Sequence, residues 1–253
     1  MKALLLDAGN TRLKWGLAEN GEVHRTGSIT QEKIRANGLG ALTTRLPRNI
    51  DAAMASNVAG PTFATRLAGV VGAHCGCELR FAKTERAAFG VSNSYTQPRR
   101  MGVDRWVALI GAWAEMQSSC LVVDAGTAVT IDALDDDGRH LGGQILPGIV
   151  LMADALAKQT SDIPATKAAA AGAYNGIAMF ANNTRNAVGS GAISAVTGAV
   201  ERAIRALRSN DCDATVVLTG GDASRILAAL DERSLHRPNL VLQGLTQMLE
   251  HRR

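Results

Sequence analysis

Two similar stretches, LLLDAGNTRL at residues 4–13 and LVVDAGTAVT at residues 121–130, decide the fold. Each places three aliphatic residues before Asp-Ala-Gly and then continues into a turn that contains threonine. An alternating apolar and polar pattern follows the first copy and a β-rich run follows the second, so we predict a three-stranded meander in each half. The turn signals Asn20-Gly21 and Asp137-Gly138 follow Asp7 and Asp124 at the same distance, thirteen residues. The repeat predicts a duplicated domain with two equivalent halves.

Helical and strand patterns alternate in the rest of each half. In the first half we predict a strand at 51–58, a helix at 61–74, a strand at 78–82 and a helix at 103–116. In the second half we predict a helix after Pro147-Gly148 and helical sequence over roughly 175–207. Residues 214–230 then predict a strand, a glycine turn and a helix, and this last helix begins at Asp222. The fold class is therefore α/β, with domains at 1–117 and 118–253.

Composition excludes some functions and leaves others open. The 253 residues are 46% hydrophobic, and 27 Lys and Arg against 23 Asp and Glu give a formal charge of +4. Because the basic residues are scattered and few aromatics lie among them, we expect no nucleic-acid partner. The surplus suits anionic small molecules and an ordinary solvated surface equally well.

Targeting and cysteine patterns indicate a cytoplasmic protein. The first apolar run is too short for a signal peptide, and no apolar stretch is long enough to span a bilayer, so we expect no membrane association. The four cysteines lack the spacing of a zinc ribbon or a disulfide framework, and we interpret them as reduced thiols.

The turns at residues 7–11 and 124–127, which we call the two Asp-Gly turns, are candidate phosphate sites. The missing Cβ of Gly9 or Gly126 allows a phosphate to approach the backbone N–H groups, and a threonine hydroxyl lies close by in sequence. Asp7 and Asp124 can hold a cation or its waters against that phosphate. The alternative is that each turn only closes a hairpin. Because the pattern occurs twice, each time after a buried strand, we favour phosphate binding.

A third glycine turn, TGGDA at 219–223, follows an apolar strand and leads into a helix. Gly220 and Gly221 would allow a flat nucleoside to lie against bare backbone at the helix N-terminus. A turn that serves only packing explains the same residues equally well.

Six motifs occur in an order that resembles the type III pantothenate kinases. They are DAGNTRLKWG (7–16), NSYTQPRRMGVDRW (93–106), DAGTAVTID (124–132), GGQILPG (142–148), NNTRNAVGSG (182–191) and TGGDA (219–223). This family is part of the superfamily of acetate kinases, sugar kinases, Hsp70 and actin. The resemblance implies two ribonuclease H-like domains, a mixed β-sheet in each, and ATP in an interdomain cleft. Met101 and Ala192 depart from the residues usual in the family.

The implied reaction is ATP-dependent phosphorylation of pantothenate to 4′-phosphopantothenate, the first step of coenzyme A biosynthesis. A sugar or acetate kinase is an alternative that the segment 93–105 and the short chain disfavour. A second alternative is a nucleotide-binding regulatory protein like the Bvg accessory factors, which carry similar motifs and would lack turnover.

The resemblance also implies roles for individual residues. Asp104 resembles the general base, although a helix cap is the alternative, and Arg105 would keep that carboxylate ionised. The implied pantothenate site is Tyr95, Gly102, Val103, Asp104, Arg105 and Thr184. The implied ATP site is Leu6, Asp7, Ala8, Gly9, Asn10, Thr11, Arg12, Leu13, Thr127, Gly220 and Gly221. Asp124 matches the ligand of a monovalent cation, K⁺ or NH₄⁺, which the family requires together with Mg²⁺. The family acts as a homodimer.

Overall fold

The computed structural model describes residues 1–163, 178–210, 212–230 and 232–250. The strands are β1 Lys2–Ala8, β2 Arg12–Glu19, β3 Glu22–Thr30, β4 Ala52–Asn57, β5 Leu79–Phe81, β6 Ala87–Ala88, β7 Val91–Ser92, β8 Cys120–Ala125, β9 Ala128–Leu134, β10 His140–Pro147, β11 Thr215–Thr219 and β12 Ser234–His236. The helices are α1 Gln31–Asn37, α2 Gly40–Thr43, α3 Pro61–Cys75, α4 Val103–Met116, α5 Ile149–Gln159, α6 Thr184–Arg208, α7 Ala223–Leu227 and α8 Leu240–Glu250, with a 3₁₀ turn at Pro98–Arg100.

Two five-stranded sheets repeat one topology. Their strand orders are β3-β2-β1-β4-β5 and β10-β9-β8-β11-β12. In each sheet the first three strands form an antiparallel meander, and the next two strands add in parallel at the side of the first. These sheets confirm the predicted α/β fold with a mixed sheet in each half, and both predicted meanders are present. The interdomain cleft stays a prediction.

The chain separates into two compact units. The first combines Met1–Gln117 with the residues from Asn239 onward, and the second is Ser118–Pro238. Our predicted ranges, 1–117 and 118–253, assigned the C-terminal residues to the second domain. The grouping differs because α8 packs against α4 and β1. Gly244 permits this contact, since a Cβ there would overlap the Val107 carbonyl.

Turn residues fix the first meander as the sequence predicts. Asn20 and Gly21 have φ values of 50° and 86°, which suits the tight turn between β2 and β3. Leu4, Leu6 and Leu13 are fully buried in one core cluster of the first unit, on the face of the sheet that α3 also covers with Leu67. The apolar side chains at every second position of β1 therefore hold the strand that leads into the first Asp-Gly turn.

Helix α6 provides much of the core of the second unit. Val196, Val200 and Ile204 are buried against the strands of the second sheet. The sequence predicted helical structure from about residue 175, but the described residues 178–183 are not helical and 175–177 lie outside the described residues. Asn183 begins the helix, because its side chain accepts a hydrogen bond from the backbone N–H of Asn186 at 2.9 Å. The start of the helix is therefore set by the capping residue and not by where the alanine-rich sequence begins.

The described residues contain neither a membrane-spanning helix nor a cluster of metal-ligating side chains. No helix among them has the length and apolar character needed to cross a membrane. No group of three or more His, Cys, Asp or Glu side chains in the same part of the chain is arranged to hold a metal ion.

Cys120 should be the least reactive thiol. Burial raises the pKa of the Cys120 thiol to about 12, with a smaller contribution from Cys212. A pKa raised in the folded state stabilises the fold at pH values below the unfolded value, and this stabilisation is lost as the pH rises from about 9 towards 12. We therefore expect Cys120 to stay unmodified by a thiol reagent at pH 8 until denaturant is added. Modification of Cys120 at the rate of an exposed thiol in the native protein would contradict this.

Candidate active site

The first Asp-Gly turn joins β1 to β2 and is fixed by Gln31. The Gly9 N–H donates to the Arg12 carbonyl at 3.0 Å, which closes the turn. The Gln31 side-chain amide donates to the Gly9 carbonyl at 2.9 Å, and the Gln31 backbone N–H donates to the Thr11 carbonyl at 2.8 Å. Gln31 is only 8% exposed, so these bonds hold the turn from inside the fold.

The residues predicted to bind ATP phosphate differ in what they expose at this turn. Leu6, Ala8 and Leu13 are buried in the core, so only their backbone groups are available to a ligand. Asp7 and Gly9 are half-buried, and Asn10, Thr11 and Arg12 are exposed. A Cβ at Gly9 would lie 3.2 Å from the Arg12 carbonyl oxygen, so glycine suits the tight turn. The turn offers backbone, amide, hydroxyl and guanidinium groups to an anion.

The start of α4 brings together most of the predicted pantothenate residues. Arg105 is 6% exposed, and its Nη1 atom donates to the Tyr95 hydroxyl at 2.8 Å. The guanidinium carbon lies 5.7 Å from the centroid of the Tyr95 ring. A guanidinium suits the recognition of an anionic group, because its donors form a planar, rigid fork. Gly102 and Val103 begin the helix beside this pair.

Asp104 lies in the first turn of α4 and is half-buried. Its Oδ1 atom accepts the backbone N–H of Arg105 at 2.8 Å. Gly102 makes room for the carboxylate, since a Cβ there would lie 2.6 Å from the same oxygen. Asp104 thus satisfies one N–H of the first turn, but the N-cap residue is Gly102, so Asp104 is not the helix cap that the sequence left open. That hydrogen bond occupies Oδ1, and it does not conflict with proton acceptance at Oδ2.

The second Asp-Gly turn lies against two other loops. The Gly126 N–H donates to the Ala128 carbonyl at 3.1 Å and closes the turn between β8 and β9. The Gly148 N–H donates to the Thr127 carbonyl at 2.9 Å, and the Asp222 N–H donates to the Ala125 carbonyl at 3.0 Å. Loops at the ends of β10 and β11 therefore fix the turn from two sides.

Asp124 and Gly220 are in direct proximity at this site. Gly220 has a φ of 94°, and a Cβ there would lie 2.5 Å from the Asp124 Oδ1 atom. Asp124 is half-buried at the end of β8, where its strand neighbours are Thr130 and Thr219. The structure thus assembles Asp124, Thr127 and Gly220. The Asp124 carboxylate and the Thr127 hydroxyl are oxygen groups, which suit a hard cation.

The helix after the glycine turn begins where the sequence predicts, but its first residue acts differently. Asp222 is the N-cap of α7, yet it makes no side-chain capping bond there. Its carboxylate instead pairs with Arg225. Burial raises the pKa of the Asp222 carboxyl, and the Arg225 charge opposes that shift. The pair fixes the loop that carries Gly220 and Gly221.

Replacing Gly220 by Ala should destabilise the protein, whereas Gly221→Ala should not. At Gly220 a side chain requires the left-handed backbone region and overlaps the Ala125 carbonyl, so we expect a loss of at least about 2 kcal/mol in the free energy of unfolding. At Gly221 a Cβ meets no atom within 4 Å, so the change should stay within about 0.5 kcal/mol. Denaturant unfolding of both variants measures this difference. Equal midpoints in the two variants would contradict it.

Thr184 belongs to the second unit and is the first residue of α6, with an exposed side chain. Tyr95, Gly102, Val103, Asp104 and Arg105 belong to the first unit.

Sequence reasoning missed two residues that hold the turns, Gln31 and Gly148. Gln31 carried no signal, because it lies in none of the six motifs. Gly148 stood inside the GGQILPG motif, and a Cβ there would overlap the Gly126 carbonyl and lie 2.6 Å from that of Thr127. The motif thus indicated an important glycine without indicating what it contacts.

Comparisons with known proteins agree with these motifs. A family model named Type III pantothenate kinase matches residues 3–206. The type III pantothenate kinase of Azoarcus sp. (strain BH72) is 39% identical over 242 residues, which cover 96% of this chain and 88% of the relative.

Solved structures share the fold. A conserved Baf family protein from Campylobacter jejuni has a TM-score of 0.65 and 18% identity, with 98% of both chains covered. A 2-dehydro-3-deoxygalactonokinase-like protein from Sinorhizobium meliloti has a TM-score of 0.61 and 17% identity, again with 98% of both chains covered. At these identities the likeness shows the fold alone.

Proposed function

Because this chain belongs to the type III pantothenate kinase family, we propose how its residues carry out that family's reaction. The reaction is ATP-dependent phosphorylation of pantothenate to 4′-phosphopantothenate, the first step of coenzyme A biosynthesis. The observation that carries the proposal is the grouping of Tyr95, Asp104 and Arg105 at the start of α4. Asp104 and the buried Arg105 are consecutive residues, so the first turn of α4 carries both the carboxylate and the cation that activation of an alcohol on an anionic substrate requires.

Asp104 is the general base of this proposal. The pantothenate hydroxyl oxygen attacks the γ-phosphorus, the bond from that phosphorus to the bridging oxygen of ADP breaks, and the hydroxyl proton passes to Asp104. Phosphoryl transfer has a loose transition state, so proton transfer is late and a weakly basic carboxylate is sufficient. The bond from Arg105 N–H to Oδ1 orients the group, and Oδ2 takes the proton.

Arg105 and Tyr95 bind pantothenate in the same proposal. The buried guanidinium already donates to the Tyr95 hydroxyl, which fixes both side chains. The guanidinium charge suits the carboxylate of pantothenate, and the tyrosine ring offers an apolar wall for the dimethyl group. Gly102 and Val103 line the approach to Asp104, and Thr184 contributes a hydroxyl to the same substrate.

The two Asp-Gly turns bind the phosphates of ATP. Backbone groups of residues 6–13 bind one part of the triphosphate, and the Thr127 hydroxyl binds another. Gly220 and Gly221 accept the adenosine. Mg²⁺ bound with ATP would neutralise phosphate charge, and Asp7, near the end of β1, would hold its waters.

Asp124 holds the monovalent cation, K⁺ or NH₄⁺. Its carboxylate stands beside Gly220 and would hold the cation through oxygen, the ligand atom that hard cations prefer. The cation would supply positive charge next to the phosphate turn.

The proposal extends to assembly and location. We propose a homodimer that acts in the cytoplasm, with pantothenate and ATP as its ligands and no nucleic-acid or membrane partner. Support comes from the family, together with the scattered charge of the sequence.

A thermal-shift experiment tests the ligand assignment. A ligand that binds only the native state raises the melting temperature, by several degrees when it stabilises by about 2.7 kcal/mol at a hundred times its Kd. With ATP analogue, Mg²⁺ and K⁺ present, we expect pantothenate to raise the melting temperature and glucose or acetate to leave it unchanged. A shift with glucose and none with pantothenate would assign the chain to another kinase of the superfamily.

A further inference from the structure

Arg86 holds the backbone of the segment that carries Tyr95. Its Nη1 atom donates to the Asn93 carbonyl at 3.3 Å and to the Tyr95 carbonyl at 2.9 Å. Its Nη2 atom donates to the Thr96 carbonyl at 3.0 Å. One planar guanidinium thus binds three carbonyls within four residues, an arrangement that its fixed fork of donors favours.

The Asn93 side chain binds the same segment at the backbone N–H of Tyr95. It is 4% exposed, and its Oδ1 atom accepts the backbone N–H of Tyr95 at 2.9 Å. Its Nδ2 atom donates to the carbonyls of Glu85 at 3.4 Å and Pro98 at 3.5 Å. The backbone of Tyr95 is therefore bound at its N–H by one side chain and at its carbonyl by another.

Packing contributes little to the position of this segment. Ser94, Thr96 and Gln97 are exposed, and no residue from 94 to 97 is a member of the buried core. A segment with few apolar contacts keeps its conformation through hydrogen bonds. The position of the Tyr95 ring, whose hydroxyl meets Arg105 at 2.8 Å, therefore depends on the bonds from Arg86 and Asn93.

We propose that Arg86 is a positioning residue for pantothenate binding and acts through Tyr95. The inference rests on the proposed function, in which Tyr95 and Arg105 bind pantothenate. Arg86 does not touch the substrate in this account, because its two terminal nitrogens are engaged by the carbonyls of the segment. Loss of the three hydrogen bonds from the Arg86 guanidinium allows Tyr95 to leave the position in which it orders Arg105.

The kinetic test compares Arg86→Gln and Arg86→Lys with the wild type. For Arg86→Gln we expect the KM for pantothenate to rise about tenfold, while kcat and the KM for ATP change less than about twofold. Arg86→Lys keeps the charge and part of the bonding, so its KM should rise about threefold. Circular dichroism and the melting temperature establish that each variant is folded, and Arg86→Lys decides the question should Arg86→Gln fail to fold.

The matched control is Arg99→Gln. Arg99 lines the same exposed, positively charged cavity as Arg86, together with Lys83 and Arg100. Its replacement removes the same charge without touching the Tyr95 segment, and the KM for pantothenate should stay within about twofold of wild type. An equal rise in Arg99→Gln and Arg86→Gln would show that charge alone attracts the substrate and would overturn the proposal.

A double-mutant cycle separates this inference from the proposed function. In a Tyr95→Phe background, Arg86→Gln should raise the KM for pantothenate no more than about twofold further, because the hydroxyl that orders Arg105 is already gone. The same tenfold rise in both backgrounds would overturn the inference. A normal KM in Tyr95→Phe would overturn the proposed role of Tyr95 itself, whereas a raised KM in Tyr95→Phe with a normal KM in Arg86→Gln would overturn only the role of Arg86.

Discussion

Replacing Asp104 by Asn should lower kcat by about 10²- to 10⁴-fold, the range that general-base catalysis contributes. The substitution keeps the size of the side chain and an oxygen that can accept the Arg105 N–H, so the first turn of α4 should remain intact. An amide cannot take the hydroxyl proton. The melting temperature and the Kd for ATP should therefore stay close to wild type, and steady-state kinetics of ADP formation measures the loss.

Asp104→Ala is the matched variant for the hydrogen bond from the Arg105 N–H. Alanine removes both the base and the acceptor of that N–H, so it should add a loss of about 1 kcal/mol in stability to the loss of turnover. If Asp104 served only as that acceptor, the asparagine variant would turn over within about threefold of wild type, and only the alanine variant would be impaired.

Replacing Asp124 by Asn should lower kcat/KM for ATP by about 10²-fold in K⁺ and remove the preference for K⁺ over Na⁺. The physical reason is the loss of a negative oxygen ligand beside Gly220 and the phosphate turn. In the wild type, exchange of K⁺ for Na⁺ should itself lower activity at least about tenfold. K⁺ is larger than Na⁺, so a site built for K⁺ has longer distances from the cation to its oxygen ligands. Activity as a function of KCl and NaCl concentration, at constant ionic strength, measures both effects.

Asp137→Asn is the control for charge in the same meander. Asp137 lies in the hairpin between β9 and β10, where its carboxylate is exposed and faces Arg139 at 3.3 Å. An exposed pair of this kind contributes little, so activity and cation preference should match wild type. Equal rates in K⁺ and Na⁺ for the wild type would remove Asp124 from the cation site.

The meanders could be predicted because their causes are local. Alternating apolar residues define the strands, and Asn20-Gly21 and Asp137-Gly138 define the turns, so ten or so residues are enough to specify each hairpin. The duplication then extends the prediction to the second sheet. Helix α8 has no such local cause for its place, since nothing in its sequence says which sheet it covers. Its contact with α4 depends on Gly111 and Gly244, which are distant in sequence.

The site divides in the same way. Asp104 and Asp124 stand in motifs, and the resemblance identifies them. Arg86 and Gln31 act by donating to backbone carbonyls of other segments. Because every residue has a backbone carbonyl, the sequence does not indicate which one is the partner. The buried pair of Asp132 and His140, at 2.9 Å, was likewise beyond prediction, because the two residues meet only through the register of β9 and β10.

Pantothenate-dependent ADP formation tests the central claim most directly. Purified protein is incubated with ATP, Mg²⁺ and K⁺, with and without pantothenate, and the products are identified by mass spectrometry. We predict that ADP and 4′-phosphopantothenate form in equal amounts and only when pantothenate is present. ATP binding without any pantothenate-dependent ADP would contradict the account and favour a nucleotide-binding regulatory protein without turnover.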